Sequence, residues 1–191
     1  MTIRLILTLA MGAATVAMTG CANVKLGAPV ASIDNIQKEK ASGAGPMAVG
    51  EFKLAPGLAA DLDKGVSIRS NQVSSPVEGS FAAYLKETLR TDLQAAGLLD
   101  PASKTVVSAQ LTRSQVDAPM DTGTAKVSAR FVVKRDGRTA YDRELSASDS
   151  WPSSFVGATA IPAAINHYGS LYRSLVATLF GDKEFIAAVA R

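Results

Sequence analysis

The alternation of apolar and polar positions is clearest in the middle of the chain. Residues 105–114 place Val107, Ala109 and Leu111 at every second position, a period typical of a half-buried strand. Two further alternating segments, 124–135 and 138–149, flank the dipeptide Asp136-Gly137. Asp-Gly between alternating segments favours a tight β-hairpin. The pattern therefore predicts three antiparallel strands with one apolar and one solvated face.

Two other segments repeat apolar residues every three or four positions, which is the spacing of an amphipathic helix. Ser80 is a suitable N-cap for the first, over 81–96, and Gly97 is suited to end it in a left-handed conformation. The second helix is expected from Ile161-Pro162 to Gly181, followed by a short helix over 183–191.

Weaker alternation at 47–54 and 65–70 suggests two more short strands. Amphipathic helices and a sheet with one apolar face bury their apolar surfaces by packing on each other. The predicted fold class is therefore α+β, with an antiparallel sheet of about four strands and two main helices packed on one face.

The amino-terminal segment is typical of a secretory signal. Arg4 precedes an apolar run from Leu5 to Ala17, which is shorter than the ~20 residues that a membrane-spanning helix needs. The following string, Met18-Thr19-Gly20-Cys21, resembles the lipobox of bacterial lipoproteins. The resemblance implies a signal peptide over 1–20, cleavage before Cys21, and a thioether diacylglycerol and an N-acyl chain such as palmitate on that cysteine. The alternative is an ordinary secreted protein with an incidental cysteine.

The residue after the cysteine bears on localisation. By resemblance to enterobacterial sorting, Ala22 in place of aspartate implies the periplasmic face of the outer membrane, with the inner membrane as the alternative where sorting rules differ. Residues 21–46 show no apolar periodicity and are rich in Ala, Gly, Ser and Lys. We therefore expect a flexible tether over 21–46 and a periplasmic domain over 47–191.

Charge and composition narrow the classes of function. The formal net charge is +3, and the 20 Lys and Arg residues form no basic run, so nucleic acid is not expected as a partner. One cysteine and one histidine leave little material for a disulfide, a metal centre or a His-based triad. We expect no cofactor and no metal.

Catalytic residues are hard to assemble from this sequence. His167 and Asp149 are the only pair that would suit a hydrolase, and no G-x-S-x-G motif supplies a nucleophile. We predict that the chain is not an enzyme, and a hydrolase using this pair is the minor alternative.

The candidate contact surfaces are one charged strand face and one aromatic residue. Lys126, Arg130 and Lys134 share a strand face, and Arg143 lies on the neighbouring strand. Such a row either protects the sheet from aggregation or contacts an acidic partner or lipid head groups. Trp151 either covers the end of the sheet or contacts a partner.

The order of these parts resembles the YajG-like lipoproteins of Gram-negative bacteria and the PqiC-like auxiliary lipoproteins of ABC-type transport systems. The resemblance covers residues 65–191 and the signal region, and it is carried by the lipobox, the Asp-Gly hairpin and three strings: "FAAYLKETLRTDLQAAG", "VVSAQLTRSQVD" and "AINHYGSLYRSLVATLFGDKEFIAAVAR". It implies a non-enzymatic lipoprotein anchored to the outer membrane that binds another cell-envelope component. The alternative is an auxiliary subunit of an ABC-type lipid transporter.

Overall fold

A computed structural model describes residues 23–191, so the predicted signal peptide and Cys21 lie outside the described residues. The chain forms an α+β fold, as the sequence predicts. In chain order its elements are β1 (Asn23–Lys25), α1 (Ile33–Ala41), β2 (Ala48–Leu54), α2 (Asp61–Lys64), β3 (Val66–Ile68), β4 (Asn71–Ser74), α3 (Phe81–Ala96), β5 (Thr105–Asp117), β6 (Thr122–Arg135), β7 (Arg138–Pro152), α4 (Gly157–Gly181) and α5 (Lys183–Val189).

The main sheet has four strands in the order β2-β5-β6-β7. Strands β5, β6 and β7 form the predicted antiparallel meander. Asp136 and Gly137 make its hairpin turn with positive φ angles of 50° and 79°, as a type I′ turn requires. The expectation of a wholly antiparallel sheet is wrong for β2, which pairs with β5 in parallel. A parallel neighbour needs a long crossover, and the connection that contains α3 supplies it.

In the second sheet, β1-β4-β3, only β3 was predicted, within the segment 65–70. Its strands have only three or four residues each, too few to show a convincing alternation. Strands β3 and β4 form a hairpin, and β1 adds to β4 in parallel.

Helices α3 and α4 cover the inner face of the main sheet, the face that carries Val107, Val127 and Phe131. Helix α3 has the predicted ends: the Ser80 side chain accepts a hydrogen bond from the Ala83 amide at 3.1 Å, and Gly97 has a φ of 75°. Helix α4 begins at Gly157, one turn earlier than the sequence suggests, with Pro162 inside it.

Aromatic rings fill the space between the helices and the sheet. Phe81, Tyr168 and Tyr172 are fully buried, and the Phe81 and Tyr168 rings meet edge to face at 5.4 Å. The two tyrosine hydroxyls are 2.8 Å apart, and Ser114 of β5 bonds to Tyr168. Buried hydroxyl groups need such partners, so this cluster joins both helices to one strand.

Residues 23–46 are not the flexible tether that the sequence suggests. Strand β1 belongs to a sheet, and α1 packs across α3 and α4. The contact is largely polar: the buried carboxylate of Asp92 on α3 accepts from the Ser32 amide at 2.8 Å and from the Asn35 amide group at 2.7 Å. A segment held by polar contacts shows no apolar periodicity, which is why the prediction failed here.

Glu39 is the unusual member of α1. It is fully buried, and neither of its carboxylate oxygens has a hydrogen-bond partner within the described residues. Loss of solvation, with a smaller contribution from nearby Asp92, raises its pKa from 4.5 to about 8. Burial favours the neutral form of a carboxyl group, so the folded protein holds a proton here that the unfolded chain releases near pH 4.5.

We predict that Glu39→Gln flattens the pH dependence of stability. The folded state binds the extra proton between the unfolded pKa of 4.5 and the folded pKa of about 8, so stability falls as pH rises through that interval, by up to about 1.4 kcal/mol per unit. Urea unfolding at pH 5, 6, 7 and 8 measures the slope. Exposed Glu51 provides the control variant Glu51→Gln, and an unchanged slope in Glu39→Gln would show that Glu39 titrates normally.

Candidate interaction surfaces

The outer face of the main sheet, opposite the helices, carries an open polar trough. Strand register places Gln115, Lys126 and Ser148 side by side across β5, β6 and β7. Asp117, Thr124 and Ser150 form the next rung. The trough has a volume of about 770 Å³. Most of its lining side chains are polar, Val116 and Ala125 add apolar surface, and Lys126 and Asp117 carry opposite charges. It therefore suits a partner surface that offers both hydrogen-bonding and apolar groups.

The predicted basic row is present in part. Lys126 is exposed in the trough and forms no ion pair in the part of the chain that the structure describes. Arg130 donates from Nε and Nη2 to the two carboxylate oxygens of Asp142, each at 2.6 Å. Its guanidinium lowers the pKa of Asp142. The charge of Arg130 is therefore compensated locally, and Lys126 is the better candidate for contact with an acidic group.

Arg143 does not belong to that row. It is opposite Phe131 in the register, on the side of the sheet that faces the helices. Its guanidinium lies 3.1 Å from Asp182 and 3.2 Å from Glu184. The prediction of a shared basic face is wrong for Arg143, whose ion pairs join β7 to the start of α5.

Trp151 is a core residue. Only 4% of its surface is exposed, and a Cβ atom at position 123 would overlap its indole, so Gly123 leaves the space that the ring occupies. Of the two roles considered for Trp151, covering the end of the sheet is the correct one, and partner contact on a free surface is excluded.

The structure brings His167 and Asp149 together beside this tryptophan. The His167 ring stacks on the indole with centroids 4.3 Å apart, and its Nδ1 atom is 2.7 Å from Asp149 Oδ2. This is the only side-chain hydrogen bond of His167 within residues 23–191, and no serine, threonine or cysteine side chain among them is hydrogen-bonded to the imidazole. The pair connects α4 to β7 and holds the His167 ring against the Trp151 indole.

Arg69 is a functional candidate that the sequence did not indicate. It occupies the β3–β4 turn with a φ of 53°. Its guanidinium donates to the carbonyl groups of Ala118, Pro119, Ser154 and Phe155. A single arginine forms no sequence pattern from which this role could be predicted.

Residues 23–191 contain no group of three or more His, Cys, Asp or Glu side chains placed to hold a metal ion. None of their helices is both long and apolar enough to cross a membrane.

No protein-family model and no curated protein matches this chain. Among solved structures, it is similar to protein XCC0632 from Xanthomonas campestris, of family DUF330, with a TM-score of 0.58 and 11% identity, over 87% of this chain and 96% of that one. At this identity the likeness shows a shared fold and nothing about activity.

Two weaker likenesses were also found. The hypothetical protein CT253 from Chlamydia trachomatis matches with a TM-score of 0.44 and 17% identity, over 76% of this chain and 99% of that one. A minor lipoprotein from Acinetobacter baumannii matches with a TM-score of 0.38 and 12% identity, over 72% and 94%. Similarities this low establish neither fold nor function.

Proposed function

We propose that this chain is a lipid-anchored protein of the bacterial cell envelope whose folded domain binds another envelope component without catalysing a reaction. The string Met18-Thr19-Gly20-Cys21 after an apolar run carries the proposal, because it is the arrangement in which a bacterial lipoprotein is cleaved and acylated. Ala22 supports the outer membrane as the destination, which places the domain in the periplasm.

The chemistry of the anchor explains why a single cysteine suffices. A thiolate is the nucleophile needed to form a thioether at near-neutral pH. One acyl chain gives marginal, reversible binding at ~0.8 kcal/mol per buried CH₂ group, whereas several chains on one residue hold a protein firmly.

We expect Cys21→Ser to abolish the anchor. In cells fed radiolabelled palmitate, the parent chain should incorporate label and sediment with the outer membrane, whereas the variant should remain unlabelled and leave the membrane fraction. His167→Ala is a matched control that retains the thiol. Palmitate incorporation into Cys21→Ser equal to that of the parent would contradict the proposed anchor.

The trough on the outer face of the main sheet is the surface we assign to the partner. It is polar, uncovered by any described helix, and contains Lys126 without a charge partner. Hydrogen-bonding side chains in adjacent strands can fix the orientation of a partner, and a rim lysine attracts acidic groups. The supporting features are therefore concavity, exposure and a lysine that forms no ion pair among the described residues.

A photo-crosslinking residue at Ser148 should capture a defined envelope protein in intact cells. The same residue at exposed Gln94, on the helix side of the domain, is the control for chance encounters. We expect a discrete adduct from position 148 and none from 94, and Lys126→Glu should weaken the adduct several-fold because it reverses the charge. Equal capture from both positions would contradict the assignment.

The second candidate function is that of an auxiliary lipoprotein subunit in an ABC-type lipid transport system. The order α3–β5–β6–β7–α4–α5 supports it, since this layout is the basis of the resemblance to the PqiC-like group. Under this alternative, the protein captured from position 148 is a transport component, and a deletion strain becomes sensitive to detergent. Under the broader proposal the barrier is intact in that strain.

A further inference from the structure

Three large apolar side chains are exposed at one end of the domain. Phe155 is 77% exposed, Met120 65% and Val156 55%. They lie in two loops, the turn between β5 and β6 and the connection from β7 to α4. Exposed apolar side chains gathered at one place usually mark a contact surface.

The two loops are held together by defined bonds. The Ser153 amide donates to the Asp121 carbonyl at 2.8 Å. The Arg69 guanidinium bonds to Pro119 and Ala118 in one loop and to Ser154 and Phe155 in the other. A residue other than glycine at positive φ is strained, and the four carbonyl contacts of Arg69 offset that strain. The apolar side chains are therefore presented on a fixed platform.

The same platform lies beside the start of the described chain. Asn23 of β1 pairs with Gln72 of β4, and the β3–β4 turn that contains Arg69 leads directly into the start of β4, next to that pair. Two residues of fully extended chain reach at most about 7 Å. The described chain therefore begins, two residues after Cys21 in the sequence, at the end of the domain that carries Met120, Phe155 and Val156.

We propose that Met120, Phe155 and Val156 form a membrane-contact surface that inserts into the lipid interface around the anchor. The inference rests on the proposed acylation of Cys21. Acyl chains at that residue bring this end of the domain to the bilayer, where exposed apolar side chains bury themselves at the boundary between head groups and acyl chains. The expected occupant is the lipid bilayer, because an anchor at this end of the domain holds the surface against the membrane.

The charges near the surface indicate what kind of membrane it suits. Asp117 and Asp121 accompany the β5–β6 turn, whereas Lys25 and Arg69 lie on the β1-β4-β3 side. With both signs present, contact depends on apolar insertion and little on anionic lipid. The orientation that results points the Asp136-Gly137 hairpin, at the far end of β6 and β7, away from the membrane.

The test places a fluorophore on the acylated full-length chain. Phe155→Cys and Met120→Cys each introduce one reactive thiol, since the thioether blocks Cys21, and both sites are exposed. Thr139→Cys, exposed at the opposite end of β7, is the matched control. Each variant is labelled with an environment-sensitive dye and reconstituted into phosphatidylethanolamine–phosphatidylglycerol vesicles that contain nitroxide-labelled lipid.

We expect a blue shift and loss of most emission at positions 155 and 120, with neither effect at 139. Equal, weak quenching at all three positions in chains that float with the vesicles would overturn the membrane-contact surface while leaving the anchor intact. A blue shift without nitroxide quenching would also overturn it, because a protein and not lipid would then cover the patch. Chains that incorporate no palmitate and do not float would overturn the proposed anchor as well.

Discussion

The structure depends on covering the apolar face of a long three-stranded meander. Strands β5, β6 and β7 present one continuous apolar surface, which α3 and α4 bury together with α5, whose Phe185 packs against Tyr141 of β7. Tyrosines fill the gap, which brings hydroxyl groups into the core. Burial raises the pKa of both Tyr168 and Tyr172, so they stay neutral and bond to each other and to Ser114. The helices are thereby fixed in one orientation on the sheet.

The orientation of α3 and α4 determines where the first described segment of the chain packs. The groove between α3 and α4 receives α1, held by the bonds of Asn35 and Ser32 to Asp92, while β1 extends the small sheet. Removing a hydrogen-bond donor from such a buried carboxylate is costly, so the segment is integral to the domain. The domain consequently starts two residues after Cys21, and an acylated cysteine would hold it directly at the membrane surface.

Periodicity predicted the elements whose order depends on apolar burial: three strands, the Asp-Gly hairpin, and α3 with both of its ends. It failed where polar contacts decide the structure, as for Asn35 on Asp92 or Arg69 on four carbonyl groups. The side of Arg143 could have been predicted, because it shares strand parity with Tyr141. The burial of Trp151 could also have been predicted if the alternation of β7 had been followed as far as residue 152, where the strand ends. The trough and the apolar end could not be foreseen, since both are made by residues far apart in sequence.

Acylation of Cys21, as proposed, implies that the domain sits on the bilayer without a spacer. Neutron reflectometry of the acylated chain on a supported bilayer measures the hydrated gap between the head groups and the protein layer. We predict a gap no wider than the roughly 7 Å that two residues span. A flexible tether of some 25 residues would instead give a gap of about 25–30 Å, and observing it would contradict the account.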